Sequence, residues 1–332
     1  MTGPRPRASV PAMDDFFSPV SGMDLPRFAG IPTFMRLPHV PPGHDRFADV
    51  DIGLVGVPWD SGTTNRPGPR HGPRQLRDAS TMIRAMNGVT RVRPFAAARC
   101  ADLGDVGPNP ADIADSMARI SAFYDSLVTA GIRPLTAGGD HLTSLPVLRA
   151  LGKAVPLGMI HFDSHTDLWD SYFNGQKYTH GTPFRRAVEE GLLDPARIVQ
   201  IGIRGTMYDT SDRNFASAVG IRIIEMEECA ARGWDDVMAE ARAIAGDGPT
   251  YVSYDIDFVD PAFAPGTGTP EVGGPNSREA LAVVRALQGL DIVGADLVEV
   301  SPPFDASGGT AYLGVSILFE LLCVMAASRA SR

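Results

Sequence analysis

The sequence predicts an α/β protein, in which one three-layer α/β/α domain forms around a mostly parallel sheet of about eight strands. Apolar segments of strand length alternate about eight times with segments of helical periodicity. Several apolar segments, such as 51–58 and 157–162, are nearly continuous, which is typical of parallel strands buried on both faces. No internal repeat, low-complexity linker or change in composition marks a second domain, and 332 residues fit one large α/β domain.

The strands are predicted from short apolar runs and from the Gly, Pro or polar residues that end them. Each run is too short for a typical helix. In chain order the predicted strands are 51–58, 98–103, 133–137, 157–162, 197–203, one within 211–247, 250–257 and 291–300.

The helices are predicted from apolar residues at helical spacing. Segment 110–130 shows this pattern clearly, with Ile113, Met117, Ile120 and Leu127 on one side. Further helices are predicted from residue 74 onward, from 142 onward, at 184–191, within 211–247, at 277–287 and at 312–327.

Residues 1–48 contain many prolines and little periodicity, so we predict an extended N-terminal arm there and the folded domain in residues 49–332. The segment 28–38 is apolar enough to pack against another surface. Two interpretations remain open, because this segment could cover the core of its own chain or line the site of a neighbouring subunit.

The composition limits the classes of function. The chain is 44% hydrophobic and 21% charged, with a net charge of −9 and a pI of about 5.2. Such acidity disfavours non-specific binding to nucleic acid or to anionic membranes, and we identify no apolar run of transmembrane length. Cys100, Cys229 and Cys323 are odd in number and far apart, which argues against a disulfide framework. We therefore expect a cytoplasmic protein that binds neither nucleic acid nor membranes.

The segment 157–167 carries the clearest functional signal. Its apolar run ends in Asp163, His165 and Asp167, and a spacing of two places these side chains on one side of an extended strand end. Carboxylates on one face repel each other unless a cation lies between them, and a divalent metal is the usual solution. The alternative is a polar strand end that only caps a helix or binds water.

Three other predicted strands also end in potential metal ligands. His141 follows the third strand, Asp255 and Asp257 end the seventh, and Glu299 lies in the eighth. Because ligands bind where the carboxyl ends of parallel strands meet, we expect these residues to lie together. Without Glu299, the four carboxylates and two imidazoles of this set are too many for one structural zinc. They favour two divalent cations, Mn before Ni, Co or Zn.

These motifs resemble those of the ureohydrolase family, which includes arginases, agmatinases and guanidino-acid hydrolases. Gly-Gly-Asp-His at 138–141, Asp-Ser-His-Thr-Asp at 163–167 and Ser-Tyr-Asp-Ile-Asp-Phe-Val-Asp-Pro at 253–261 match the three metal motifs of the family in order. The match runs from about residue 50 to the C-terminus. Ser164 stands where many members have Ala, but it is not at a ligand position. The resemblance implies an arginase-like fold.

The resemblance also implies a role for each matched residue. His180 matches the proton-shuttling histidine of the family, and Glu299 matches the carboxylate that grips the substrate guanidinium. Asp163 and Asp255 would bridge two cations, and Asp167 would also accept a hydrogen bond from the nucleophile. The implied metal ligands are His141, Asp163, His165, Asp167, Asp255 and Asp257.

The implied reaction is hydrolysis of a guanidino group to urea and an amine at a centre with two divalent metal ions, Mn before Ni or Co. We favour a guanidino acid such as 4-guanidinobutanoate, because residues 31–38 and 180–187 look closer to guanidinobutyrases and guanidinopropionases than to arginases. Agmatine and free guanidine remain alternative substrates. Two further hypotheses are a catalytically silent subunit and a single-zinc deacetylase of the same architecture, and the many carboxylates disfavour the deacetylase. The resemblance also implies a homotrimer or homohexamer.

The tail of the substrate needs its own binding residues. A carboxylate tail favours a cleft rich in donors, whereas an ammonium tail favours an acidic one. Arg66 and Arg70 are candidates for the first, and Asp170 and Asp209 for the second. The other candidate substrate-binding residues are Trp169, Tyr172, Asn174, Gln176 and Arg204.

Overall fold

Eight parallel strands form the central layer of the protein, as the sequence predicts. The computed structural model describes residues 14–330 and the side chains of residues 14–328, so the beginning of the predicted arm lies outside the described residues. The strands are β1 (Ile52–Gly56), β2 (Cys100–Asp105), β3 (Arg133–Ala137), β4 (Leu157–Phe162), β5 (Leu193–Ile203), β6 (Arg222–Glu225), β7 (Thr250–Asp255) and β8 (Ile292–Val298). Their order in the sheet is β2-β1-β3-β8-β7-β4-β5-β6.

Helices cover both faces of this sheet, which gives the three predicted layers. Within the described residues they are α1 (Gly72–Ser80), α2 (Pro94–Ala97), α3 (Ile113–Ala130), α4 (Ser144–Leu151), α5 (Pro183–Glu189), α6 (Ser211–Val219), α7 (Met226–Arg232), α8 (Trp234–Ala245), α9 (Ser277–Arg285) and α10 (Gly309–Ala330). Helices α3 to α6 pack on one face, and the other helices pack on the opposite face. Strands β1, β4 and β7 are therefore buried along their whole length, as their nearly continuous apolar runs predict.

The conformation beyond two strands differs from the sequence prediction. Strand β4 ends at Phe162, so that Asp163 lies just beyond it, and β7 ends at Asp255, two residues before the predicted end at Asp257. Asp167 has a φ of 52°, and Ile256–Phe258 form a 3-10 turn in which the side chain of Asp255 accepts a hydrogen bond from the Asp257 N–H. The predicted ligands therefore converge through turns, and not through the alternation of an extended strand.

The described part of the N-terminal arm packs partly on the core of its own chain. Phe34, Met35 and Leu37 are buried in the apolar cluster that α1 and α10 also line, and the Phe34 N–H donates to Asp102 Oδ2 at 2.8 Å. Phe28, in contrast, is 94% exposed. The second half of the apolar segment 28–38 thus covers the core of its own chain, while Phe28 near its beginning is exposed and available to a partner. The boundary between arm and domain stays a prediction.

Helix α10 is long and apolar enough to cross a membrane, by length and composition only. The sequence expectation that no apolar run reaches this length is therefore wrong. Most of this helix is buried, however, against α1, α9 and β8. A helix that is apolar on all sides is expected in the core of a large domain. A buried core helix can therefore have the length and the composition of a membrane-spanning helix.

The strand order brings together four strand ends that are far apart in the sequence. Strands β3, β8, β7 and β4 are neighbours at the centre of the sheet. Their carboxyl ends lead to His141, Glu299, Asp255 and Asp163, respectively. The carboxyl edge of a parallel sheet is where ligands bind in this class of fold, so the candidate site lies at the middle of that edge.

Candidate active site

His141 lies among carboxylates that come from two strands. Its Nδ1 atom lies 3.1 Å from an oxygen of Asp163, 3.0 Å from Asp167 and 3.2 Å from Asp255. The ring is buried, and Nδ1 has no hydrogen-bond partner in the part of the chain that the structure describes. Burial opposes protonation, but the three carboxylates hold the pKa of His141 well above its usual value. A buried ring nitrogen that faces three carboxylates is the donor set of a cation site.

A second group of potential ligands shares Asp163 with the first. Nδ1 of His165 lies 3.0 Å from Asp257 Oδ2 and 3.5 Å from Asp163 Oδ1. The other oxygen of Asp163, Oδ2, is the one that faces His141. The ligand atoms of Asp163, His165 and Asp257 lie within 4.8 Å of one another. Asp163 therefore stands between two histidines, with one oxygen directed toward each.

The buried carboxylates of the two groups repel one another. Burial and the negative charges of Asp257 and Asp163 raise the pKa of Asp255 well above its usual range. Burial and the charge of Asp163 also raise the pKa of Asp257. Burial opposes ionisation of Asp163, but the neighbouring His161 and His141 hold its pKa well below the usual value. Divalent cations would relieve this repulsion, so the residues fit a metal centre.

Glu299 and His180 form a buried pair next to these groups. Glu299 Oε1 accepts hydrogen bonds from His180 Nδ1 and from the backbone N–H of His141, both at 2.9 Å. Its second oxygen, Oε2, is buried and accepts no hydrogen bond from residues 14–328. Glu299 also has a φ of 62°, a conformation that is costly for a residue other than Gly and is concentrated at functional sites. One carboxylate oxygen thus remains for a ligand.

Thr64 contacts the other ring nitrogen of His180. The backbone N–H of Thr64 lies 3.2 Å from His180 Nε2, and its hydroxyl oxygen lies 2.8 Å away. The N–H can donate to a neutral ring, whereas the hydroxyl oxygen can accept from a protonated one. Burial opposes protonation, but the charge and hydrogen bond of Glu299 raise the pKa of His180 to about 9. The surroundings of His180 therefore suit both protonation states, as a proton carrier requires.

These groups open into a cleft of about 480 Å³, a usual size for a small-molecule site. Trp169, Tyr172 and Tyr208 form an aromatic wall along it. The ring centroids of Trp169 and Tyr208 are 5.5 Å apart, and those of Tyr172 and Tyr208 are 6.3 Å apart. Arg66 and Glu271 also line the cleft, so both signs of charge are present beside the aromatic wall.

The family of this protein follows from its match to a family model. The Arginase family model matches residues 50–324. The chain belongs to the arginase family. It is an enzyme, a hydrolase of guanidino carbon–nitrogen bonds, as the three motifs predict. The match also removes the alternative of a single-zinc deacetylase.

Similar proteins cover almost the whole of this arginase-family chain. It is 56% identical to the guanidinopropionase of Pseudomonas aeruginosa, over 96% of this chain and 98% of that protein. It is 48% identical to the guanidinobutyrase of the same organism, over 92% of this chain and 96% of that protein. Among solved structures, it resembles proclavaminate amidinohydrolase from Streptomyces clavuligerus with a TM-score of 0.86 and 40% identity, over 91% of this chain and 99% of that one.

Most of the residues predicted from the sequence lie at the site, but some tail candidates do not. The cleft and its floor bring together His141, Asp163, His165, Asp167, Asp255, Asp257, His180 and Glu299. Trp169, Tyr172 and Arg66 line the cleft. Asn174 and Gln176 lie in an exposed turn and are not among the lining residues. Two backbone hydrogen bonds between Tyr172 and Gln176 close this turn.

Arg204 also lies outside the cleft, contrary to the sequence prediction. Its guanidinium donates to the backbone carbonyls of Asp257 at 2.8 Å, Phe258 at 3.0 Å and Glu271 at 2.7 Å. With its donors used in this way, Arg204 fixes the loop that carries Asp257, one of the predicted metal ligands, instead of binding substrate. Arg70 is likewise engaged, in an ion pair with Asp60.

Sequence reasoning missed several residues of the site. Thr64, Tyr208 and Glu271 reach the cleft from loops after different strands, and no local pattern distinguishes them from other loop residues. His161 and Asp296 did carry a signal, because each is a buried polar residue inside an otherwise apolar strand. Such residues are rare without a partner that justifies their burial.

Proposed function

We propose that this protein hydrolyses a short guanidino acid, such as 4-guanidinobutanoate or 3-guanidinopropanoate, to urea and an amino acid. One observation carries the proposal: the same cleft contains a free carboxylate oxygen of Glu299 and a guanidinium, that of Arg66, without an ion pair among the described residues. A guanidino acid has complementary charges at its two ends. The names of two similar proteins, guanidinopropionase and guanidinobutyrase, support the same class of substrate.

We further propose that the site holds two divalent cations, Mn before Ni or Co. The mixed oxygen and nitrogen donors, without thiolate, support this choice. The position of Asp163 between His141 and His165 supports a bridging role for its carboxylate. When bound, the cations would activate a water molecule and stabilise the charge of the reacting group. The proposed ligands are His141, Asp163, His165, Asp167, Asp255 and Asp257.

Glu299 and His180 would bind the substrate and protonate its leaving group. The planar fork of a guanidinium matches a carboxylate, and Oε2 of Glu299 is the free acceptor. During hydrolysis a carbon–oxygen bond forms with water, the carbon–nitrogen bond to the amine breaks, and the departing nitrogen takes up a proton. His180, with a pKa of about 9, carries a proton at neutral pH for this purpose. Asp167, which lines the cleft, would accept a hydrogen bond from the attacking water.

Arg66 is the residue that we propose for the carboxylate of the substrate. Its guanidinium stacks on the ring of Phe304 at 3.9 Å, and no hydrogen bond or ion pair to other described residues engages it. Stacking fixes the plane of the guanidinium, which leaves its edge for two parallel hydrogen bonds to a carboxylate.

A second candidate function, agmatine hydrolysis, is favoured by Glu271. This carboxylate lines the cleft and makes no ion pair within the described part of the chain, so it would attract the ammonium group of agmatine. Asp170, the acidic residue suggested by the sequence, is instead paired with Arg186 at 3.1 Å. Asp209 caps the turn before α6 and does not line the cleft.

The release of urea separates these candidates. The protein would be loaded separately with Mn²⁺ and Ni²⁺ and offered 4-guanidinobutanoate, 3-guanidinopropanoate, agmatine, arginine and guanidine. We expect the highest kcat/KM with one of the two guanidino acids. A higher value with agmatine would overturn the substrate proposal and shift attention to Glu271. No urea from any of these compounds would contradict both proposed substrate classes.

Assembly and location also remain proposals. We infer a homotrimer or homohexamer, supported by Met23, Phe28 and Ile31, which are at least 90% exposed on the arm. We infer a cytoplasmic location, supported by three free and buried cysteines.

A further inference from the structure

A row of buried polar side chains crosses the sheet beneath the metal-binding residues. The register pairs Gln200 of β5 with His161 of β4, His161 with Ser253 of β7, Ser253 with Asp296 of β8, and Asp296 with Thr136 of β3. All five residues are 0% exposed. Buried polar groups are costly unless they are hydrogen-bonded, so the partners of this polar row indicate what it does.

Gln200 determines which nitrogen of His161 carries the proton. The side-chain nitrogen of Gln200 lies 2.6 Å from the carbonyl oxygen of Thr166 and 3.0 Å from His161 Nδ1. Because a carbonyl only accepts, the amide nitrogen must be the donor at this position. His161 therefore accepts at Nδ1 and donates from Nε2 to Asp163 Oδ2, at 2.8 Å. A neutral ring thus holds Asp163 from within the sheet.

Asp296 determines, through Ser253, which nitrogen of His141 carries the proton. The Asp296 carboxylate accepts from the hydroxyls of Ser144 and Tyr251, both at 2.6 Å, and of Ser253, at 2.7 Å. Because the Ser253 hydroxyl donates to Asp296, its oxygen accepts from Nε2 of His141, at 2.8 Å. The proton of a neutral His141 then lies on Nε2, and the lone pair of Nδ1 faces the carboxylates.

We propose that the polar row is the positioning layer of the metal centre. Asp296 and Ser253 set the tautomer in which His141 binds a cation, and Gln200 and His161 orient Asp163, while none of these four residues binds a cation itself. The inference rests on the proposed two-cation site. Partners of this kind orient metal ligands in many proteins, and their loss costs about 10–100-fold in metal affinity.

The rival interpretation is that His161 is itself a metal ligand. The ligand atoms of His141, His161 and Asp163 lie within 4.8 Å of one another, so distance alone does not separate the two roles. The donation from Gln200 does separate them, because it places the proton of His161 on the nitrogen that faces Asp163. A ligand and a positioning residue also differ in the number of cations bound at saturation.

The test measures Mn²⁺ binding to the full-length protein after removal of its cations with a chelator. Ser253→Ala, His161→Phe and His161→Gln are compared with the unchanged protein, by competition with a metal-binding dye and by elemental analysis at saturation. Tyr124→Phe is the matched control, because the Tyr124 hydroxyl lies 2.7 Å from that of Thr136, at the far end of the row.

We expect Ser253→Ala and His161→Phe to bind Mn²⁺ about 10–100-fold more weakly with an unchanged number of ions per chain. His161→Gln should recover part of the affinity because its amide can donate to Asp163, and Tyr124→Phe should behave as the unchanged protein. If Ser253→Ala and His161→Phe bound Mn²⁺ with unchanged affinity, the positioning role would be wrong while the two-cation proposal would stand. The loss of one ion per chain in His161→Phe would also overturn the positioning role, because His161 would then be a metal ligand. If the unchanged protein bound no Mn²⁺, the two-cation proposal would fail, and the positioning role that rests on it would fail too. If His161→Phe did not fold, Ser253→Ala and His161→Gln would decide.

Discussion

Oε1 of Glu299 lies 2.9 Å from Nδ1 of His180 and also accepts the backbone N–H of His141. One carboxylate oxygen therefore ties the end of β8 to the loop before α5 and to His141, the first proposed metal ligand, while the other oxygen has no partner among the described residues. The proposed proton carrier and the group proposed to bind the guanidinium are thus held in one buried contact. A change in either residue affects the other.

This contact predicts a pH dependence of stability. Burial opposes protonation, but Glu299 raises the pKa of His180 from 6.5 to about 9. A raised pKa contributes stability that is fully present below pH 6.5 and is lost as the pH rises through about 9. We expect His180 to account for a loss of about 3 kcal/mol in the free energy of unfolding of the metal-free protein over this range. Urea denaturation at a series of pH values would measure it, and the profile of His180→Asn should be less steep by about this amount, while other groups with a raised pKa, such as His141, still contribute; an equally steep profile in this variant would contradict the assignment.

Glu299→Gln should abolish most activity and leave the metal content unchanged. Gln keeps the size of the side chain but loses the charge that binds a guanidinium, so we expect kcat/KM to fall roughly 10²–10³-fold. Because Glu299 is not among the proposed ligands, elemental analysis should find the same number of ions per chain as in the unchanged protein. A loss of ions in this variant would make Glu299 part of the metal centre.

Arg66→Met should weaken the binding of guanidino acids selectively. Met keeps much of the length of the side chain but removes a charged hydrogen bond worth about 1.5–3 kcal/mol, so KM for the preferred guanidino acid should rise about 10–100-fold, with a smaller change in kcat. Glu271→Gln is the matched control, and it should affect agmatine more than guanidino acids. If Arg66→Met impaired every substrate equally, including guanidine, which has no tail, Arg66 would be a structural residue.

Two truncations should separate the roles of the arm. Deletion of residues 1–32 keeps Phe34 and Met35 in the core, whereas deletion of residues 1–40 removes them. We expect the longer deletion to lower the free energy of unfolding by at least about 3–5 kcal/mol, the usual cost of losing one buried Phe. The shorter deletion also removes Phe17, which is buried in the core, so it should lower the free energy of unfolding by less than the longer deletion and should reduce the size of the assembly in light scattering. An unchanged assembly would remove the arm from the subunit interface.

Sequence and structure agree best for the proposed metal ligands. The motifs at 163–167 and 253–261 carry three and two of these ligands within a few residues, and the motif at 138–141 carries His141, so local geometry keeps the ligands of one motif together. The residues that bind the tail of the substrate were harder to predict, because each candidate is a single side chain in a loop. Arg204 illustrates this, because a loop position after β5 does not reveal that its donors are used by backbone carbonyls.

The sequence by itself determined the alternation of strands and helices, the strand ends that carry polar groups and the family to which the chain belongs. These features depend on the period of apolar residues and on short motifs, which are local properties of a chain. Only the tertiary structure decided that β3, β8, β7 and β4 are neighbours, that Arg66 is free at the cleft while Arg204 is not, and that Gln200 and Asp296 lie in one row. The pairing and register of strands far apart in the chain are set by packing and hydrogen bonds across the sheet, which no local segment encodes.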